Sequence, residues 1–180
     1  MPRARGVDSV VKRIPLPQCM GIPVRYDAAL AVLSDSRGIG PWKKIVVGPT
    51  FHLLTERQKG AVLLHEVGHC KLCHTEKIIA HTIARPRLVF ALLAASIKAA
   101  RRFKKETPQA LAFFQYEIER LAPGTAAFRQ RLEFEADAYA AGCGYGAELA
   151  QVFRCAGDAG GGFHPDVESR VRHVLGESHG

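Results

Sequence analysis

The sequence predicts a mainly α fold of the α+β kind, with a small β-sheet at its edge, and three observations carry this. The chain has 180 residues, 47% hydrophobic and 23% charged, enough for one domain with its own core and too apolar for wholesale disorder. Helix-compatible stretches recur after Thr55, over Gln109 to Leu121 and over Thr125 to Ala141. Only one short run, Ile45-Val46-Val47, is bounded by strand-ending residues, Lys43-Lys44 before it and Gly48-Pro49 after it.

Residues 1–18 read as a basic, loosely structured leader without the apolar segment of a secretory signal. Residues 19–180 then form a single domain. Tyr26 to Leu33 suits a short helix after Pro23, with Asp35 to Pro41 a Gly-rich loop. Thr55 and Gln58 have the spacing of a capping box, and Val62, Leu63, Val67, Cys70 and Cys73 keep roughly a helical period beyond it. Residues 76–122 make a helical excursion. Its apolar run Leu88 to Ile97 is short of the roughly 18–20 residues that span a bilayer, so a core helix is favoured over a membrane-touching hairpin within 86–105. After Thr125 to Ala141, Gly142, Gly144 and Gly146 break the helix, and residues 157–162 read as a flexible loop. Pro165 suits the first position of a final helix, Asp166 to Leu175.

The chemistry centres on His65-Glu66-Val67-Gly68-His69. Residues four apart share a helix face, so His65 and His69 can bind one metal ion together. Glu66 lies about 100° round the helix, able to reach a water at that ion without being a ligand. A catalytic zinc takes three protein ligands and leaves one position open. Glu133 is the preferred third ligand over Glu135 and Glu117. Asp137, one turn later on the same face, would orient a ligating imidazole through its other nitrogen. One Zn2+ per chain and Glu66 as general base then define a peptide-bond hydrolase acting on protein or peptide substrates.

Five cysteines, with Cys70 and Cys73 as a lone C-x-x-C, fit buried thiols in a reducing cytoplasm better than a zinc ribbon. A net charge of +8 fits a soluble basic surface, with nucleic acid, anionic lipid or an acidic substrate as the acidic partners it would suit. The densest cluster is Arg101-Arg102-Phe103-Lys104-Lys105.

Three motifs in order carry a family resemblance: Leu54-Thr55-Glu56 through His65-Glu66-Val67-Gly68-His69 to His74; Glu133-Phe134-Glu135-Ala136-Asp137; and His164-Pro165 with Arg170. Together they resemble the HtpX-like and CaaX prenyl endopeptidases, family 48 of the zinc metallopeptidases. The resemblance implies a zincin-like helical domain of the gluzincin type. Zinc would sit on His65, His69 and Glu133, with Glu66 as the base. Asp137 would act behind the ligands, His74 would support the helix end, and His164 or Arg170 would lie near the oxyanion. It also puts Ile45 to Val47 where the family has a substrate-pairing edge strand. Members embedded in membranes carry long apolar spans, whereas only Leu88 to Ile97 lies between His69 and Glu133 here, so the chain reads as a small soluble version. An ImmA/IrrE-type regulatory peptidase cleaving a repressor shares the first two motifs. A SprT-like protease would need a terminal zinc ribbon, and a non-catalytic zinc-containing binding protein would keep the ligands without hydrolysis.

Overall fold

The computed structural model describes residues 21–30, 32–103, 108–157 and 163–177. The expected leader 1–18, Lys104-Lys105 and residues 158–162 of the Gly-rich loop lie outside them. The described chain is mainly helical beside one three-stranded sheet.

The sheet is built from β1 (Val24–Tyr26), β2 (Ser34–Arg37) and β3 (Lys44–Val47), in the order β1-β3-β2. β3 is its centre. Val24 to Tyr26 pair parallel with Ile45 to Val47, while Ser34 to Arg37 run antiparallel to Val47 to Lys44. Ile45, Val46 and Val47 are buried, as an apolar run covered on both faces should be. Three expectations are corrected. Tyr26 to Leu33 is not a helix, because pairing with β3 holds Val24–Tyr26 extended. Asp27 then turns the chain, accepting at its side chain from Ala29 N and at its backbone oxygen from Leu30 N. The stretch from Asp35 begins in a strand, one too polar (Ser-Asp-Ser-Arg) to show an alternating pattern. The Ile45 to Val47 strand is central, leaving β2 as the edge toward the helices.

Helix α1 (Glu56–Lys71) starts as its sequence dictates. The Thr55 side chain accepts from Gln58 N, and the Gln58 side chain accepts from Thr55 N, satisfying two amides that the helix itself cannot. From Ala61 to Gly68 every residue is buried, so α1 is the central rod of the core. It packs most extensively on α5 (Thr125–Ala140). Gly68 permits the close approach: a β-carbon there would lie 3.0 Å from Ala136 Cα and 3.1 Å from Tyr139 Cβ. α5 runs through one wide turn, Ala141–Tyr145, relieved by Gly144 at φ 84°, into α6 (Gly146–Ala156). The glycines thus redirect the helix rather than end it, and α6 was not foreseen. α7 (Val167–Leu175) is capped by Asp166, which accepts from Ser169 N, so Pro165 precedes the cap instead of opening the helix.

Between the two central helices lie α2 (His74–Ile83), α3 (Pro86–Arg102) and α4 (Pro108–Leu121). Leu88, Ala95 and Ile118 form a second, smaller core with Phe114 and Phe163 around it. α3 turns one apolar stripe inward and a second, including Val89, Phe90, Leu93 and Ile97, outward. No single helix among the described residues is long and apolar enough to cross a membrane. α2 and α3 reach that composition only as a pair bent by 101°. Of the paired cysteines, Cys70 is buried but Cys73 is exposed, because α1 ends at Lys71 and Cys73 takes the left-handed conformation (φ 56°).

Candidate metal centre

Two helices converge on one point. α1 presents His65 and His69 one turn apart, and α5 presents Glu133. The ligand atoms of these three side chains lie within 4.8 Å of one another, a cluster able to hold a metal ion. The two Nε2 atoms are 3.1 Å apart, and Glu133 places one carboxylate oxygen 3.6 Å from each. Tetrahedral bonds of about 2.0–2.1 Å to zinc separate their donors by roughly 3.3 Å, so the triangle has the right size.

The proton positions, assigned from hydrogen-bond partners, say what must lie inside that triangle. His65 Nδ1 is 2.8 Å from Asp137 Oδ1. Asp137 is fully buried; burial alone would raise its pKa, but Arg170 and His65 hold it below the usual carboxylate range. It is therefore the anion that faces the His65 ring, an ion pair at short range rather than an aligned hydrogen bond. On the other side, Glu135 bonds Lys77 at 2.7 Å and His74 Nε2 at 3.1 Å, so His74 donates from Nε2 and keeps a bare Nδ1. That Nδ1, 2.8 Å from His69 Nδ1, accepts the proton of His69. Both Nε2 atoms consequently aim lone pairs at each other and at an anionic carboxylate. Only a cation resolves this. His65 has a raised pKa: burial opposes the charge, but Asp137 outweighs it. His69 is driven the other way, to about 3, by burial and by the neighbouring His65 charge. Glu133 is kept well below the carboxylate range against the effect of burial, chiefly by His164 and then the two imidazoles.

Glu66 lies beside this cluster and is buried. Burial raises its pKa, while the His65 charge and a 2.6 Å hydrogen bond donated by Ser34 Oγ limit the rise. Ser34 comes from β2, so the sheet's edge strand reaches the cluster directly.

His164 and Arg170 have different surroundings. His164 is half-exposed, with Nδ1 3.3 Å from Glu133 Oε2. Arg170 is mostly buried and donates from Nε and Nη2 to the two Asp137 oxygens at 2.8 and 2.7 Å. Its guanidinium lies 3.9 Å over the Phe153 ring, and its Nη2 is 3.5 Å from Glu133 Oε2. His74 is fully buried against His69. Glu117 is remote from this constellation, bonded to Lys98 and Arg120. Sequence reasoning missed Ser34, which has no motif, and the link from Glu135 through His74. The His74 to Lys77 spacing opening a new helix was the signal for that link, but it required knowing that the chain turns at Cys73.

Two imidazoles from one helix and a glutamate from its neighbour, with a second glutamate beside them, form the arrangement of a metal-dependent peptidase. The family model of peptidase family M48 matches residues 36–178, spanning every residue of the cluster, and the chain belongs to that family. No curated protein matches it. The protein is thus a metallopeptidase, a hydrolase whose substrates are proteins or peptides.

Proposed function

We propose that the protein is a zinc-dependent metalloendopeptidase in which His65, His69 and Glu133 hold one Zn2+ and Glu66 is the general base. The observation that carries this is the cluster of His65, His69 and Glu133, whose ligand atoms lie within 4.8 Å of one another with the two Nε2 atoms 3.1 Å apart. A bound zinc ion would supply a Lewis acid that acidifies water and polarises the scissile carbonyl.

The chain's own groups do the rest. Glu66, raised in pKa by burial, accepts a proton from the attacking water and returns it to the leaving amine. Ser34 holds the Glu66 carboxylate by one oxygen and leaves the other free to move that proton. Asp137 and His74 fix the tautomers of His65 and His69 so that both present lone pairs. Arg170 is a positioning residue: its two bonds to Asp137 keep that carboxylate charged without its touching substrate. His164, open to solvent, is the better placed of the two to meet the oxyanion. β2 ends the sheet and has β3 as its neighbour, so its outer edge offers backbone groups to an extended peptide.

Glu66→Gln should keep stoichiometric zinc and lose about 10²–10⁴-fold in cleavage of unfolded casein, the range expected for a positioned base. Glu133→Ala should lose the metal itself. Full zinc occupancy in Glu133→Ala would overturn the ligand set, and undiminished cleavage by Glu66→Gln would overturn the base.

A further inference from the structure

We propose that the cavity beside Glu133 is a substrate subsite for an acidic side chain, with Arg129 the residue that selects it; this rests on the peptidase reading above. The cavity, about 40 Å3, lies between α2, α3, α4 and the start of α5. One water needs about 10–15 Å3 on this measure, so there is room for about three water-sized groups, the size of a carboxylate.

Its position ties it to the reaction. Arg129, in its wall, is one turn before Glu133 on α5, about 6 Å along the axis. Phe163, also in the wall, directly precedes His164, which contacts Glu133. A side chain entering here would belong to a residue close to the scissile bond.

Its chemistry is one-sided. The wall contains Arg129 and His81 but, among the described residues, no acidic one. Among the described residues Arg129 has no carboxylate within ion-pair distance; its guanidinium lies 5.4 Å over the Phe163 ring, and the one acidic charge that acts on it is that of Glu133, against the effect of burial. His81 stacks flat on Phe128, centroids 3.9 Å apart at 7°, with a buried Nε2 that has no hydrogen-bond partner. Arg85, Arg129 and Arg131 all act on that imidazole, with burial, to lower its pKa. The threonines are already engaged: Thr82 donates to Ile78 O and Thr125 to Ala122 O. A part-buried guanidinium that makes no ion-pair contact calls for an anionic acceptor, and the His81 nitrogen leaves a hydrogen-bonding position open in the same wall. The remaining wall, including Leu92, Phe114 and Ile118, suits the methylenes of Asp or Glu. A buried charge left without a partner is costly, which makes the wrong ligand poorly bound as well as the right one well bound.

The test compares peptides differing only by Glu or Gln, and Asp or Asn, at the positions flanking the cleaved bond. The zinc-loaded wild type should prefer the acidic member at one such position by about 10- to 100-fold in kcat/KM, the range for a charged hydrogen bond. Arg129→Gln should erase that preference, lowering kcat/KM for the acidic peptide more than for the neutral one; Arg129→Lys should keep part of it. An unchanged preference in Arg129→Gln, or none in the wild type, overturns the proposal. Binding of the same peptides to Glu66→Gln, followed by fluorescence anisotropy, reads the cavity without turnover. Loss of cleavage with acid-selective, Arg129-dependent binding would sink the peptidase reading and leave the subsite standing.

Discussion

The helices that carry the metal cluster and the helices inserted between them solve opposite problems. α1, α5 and α7 bury charge: Asp137 is 0% exposed and paired with His65 and Arg170, while the buried Glu66 is held by Ser34. α2 to α4 expose apolar surface: Phe90 is 71% and Leu93 59% exposed, over a core of three buried side chains. In the first region geometry is over-determined, because every buried ion needs its partner in place. In the second, weak burial leaves the helices lightly tied, the low-stability end from which moving parts are drawn. A hydrolase needs both, a rigid array of donors and a wall that admits a substrate.

Breaking a buried pair should therefore do the most damage. Asp137→Ala strands the Arg170 guanidinium and frees the His65 proton, and should cost about 3–5 kcal/mol. Urea unfolding measures it. Asp137→Leu combined with Arg170→Met should recover much of the loss, since the desolvated charge goes with the pair. A double variant no more stable than Asp137→Ala would mean that the ion pair itself, not its orphaned half, sets stability.

Acid should act on the imidazoles of lowered pKa, His69 and with it His74 and His81 of α2, before it acts on the carboxylates. His69 has its folded pKa lowered from 6.5 to about 3, so below pH 6.5 the unfolded chain binds a proton that the native state refuses. Stability from this group is complete above pH 6.5 and is lost as pH falls toward 3. In the excursion, Lys98 and Arg120 lower Glu117 from 4.5 to about 2, so its contribution persists down to pH 4.5 and fades toward 2. Metal-free protein should begin to weaken near pH 6, before any carboxylate pair of the excursion titrates. Thermal melts across pH 3–8 check this, and a loss confined to below pH 4.5 would contradict it.

The packing of α1 on α5 offers a smaller, sharper cut. Gly68→Ala drives a methyl group into Ala136 and Tyr139 and should cost about 1–3 kcal/mol. Gly142→Ala, whose β-carbon meets nothing within 4 Å, should cost little. Equal effects at the two sites would mean that the helices can move apart.

How far the sequence went follows the same division. His65, Glu66, His69, Glu133 and Asp137 were legible because helical spacing converts directly into shared faces, and the Thr55–Gln58 cap marked where that helix begins. β2 was not, since Ser34 to Arg37 has no apolar residue and is a strand only because β3 lies beside it. Arg170 could be placed near the site but not assigned; only its two bonds to Asp137 show what it holds. The His81 and Arg129 cavity was invisible, because it is assembled from four helices whose mutual packing no local pattern encodes.

The smallest effect tests the comparison from its weaker side. Phe90 and Leu93 are large apolar side chains on α3, yet both face outward, away from Leu88, Ala91 and Ala95. An exposed side chain gives up little burial when it is removed, so Phe90→Ser should change stability by no more than about 0.5 kcal/mol. Leu64→Ala in α1, fully buried, should cost about 2–5 kcal/mol. The contrast isolates burial from residue type, since both changes delete a large apolar group from a helix. A Phe90→Ser loss approaching that of Leu64→Ala, measured by urea unfolding, would mean that the outer stripe of α3 is covered in the folded protein. The excursion would then be packed as firmly as the helices that carry the candidate metal site.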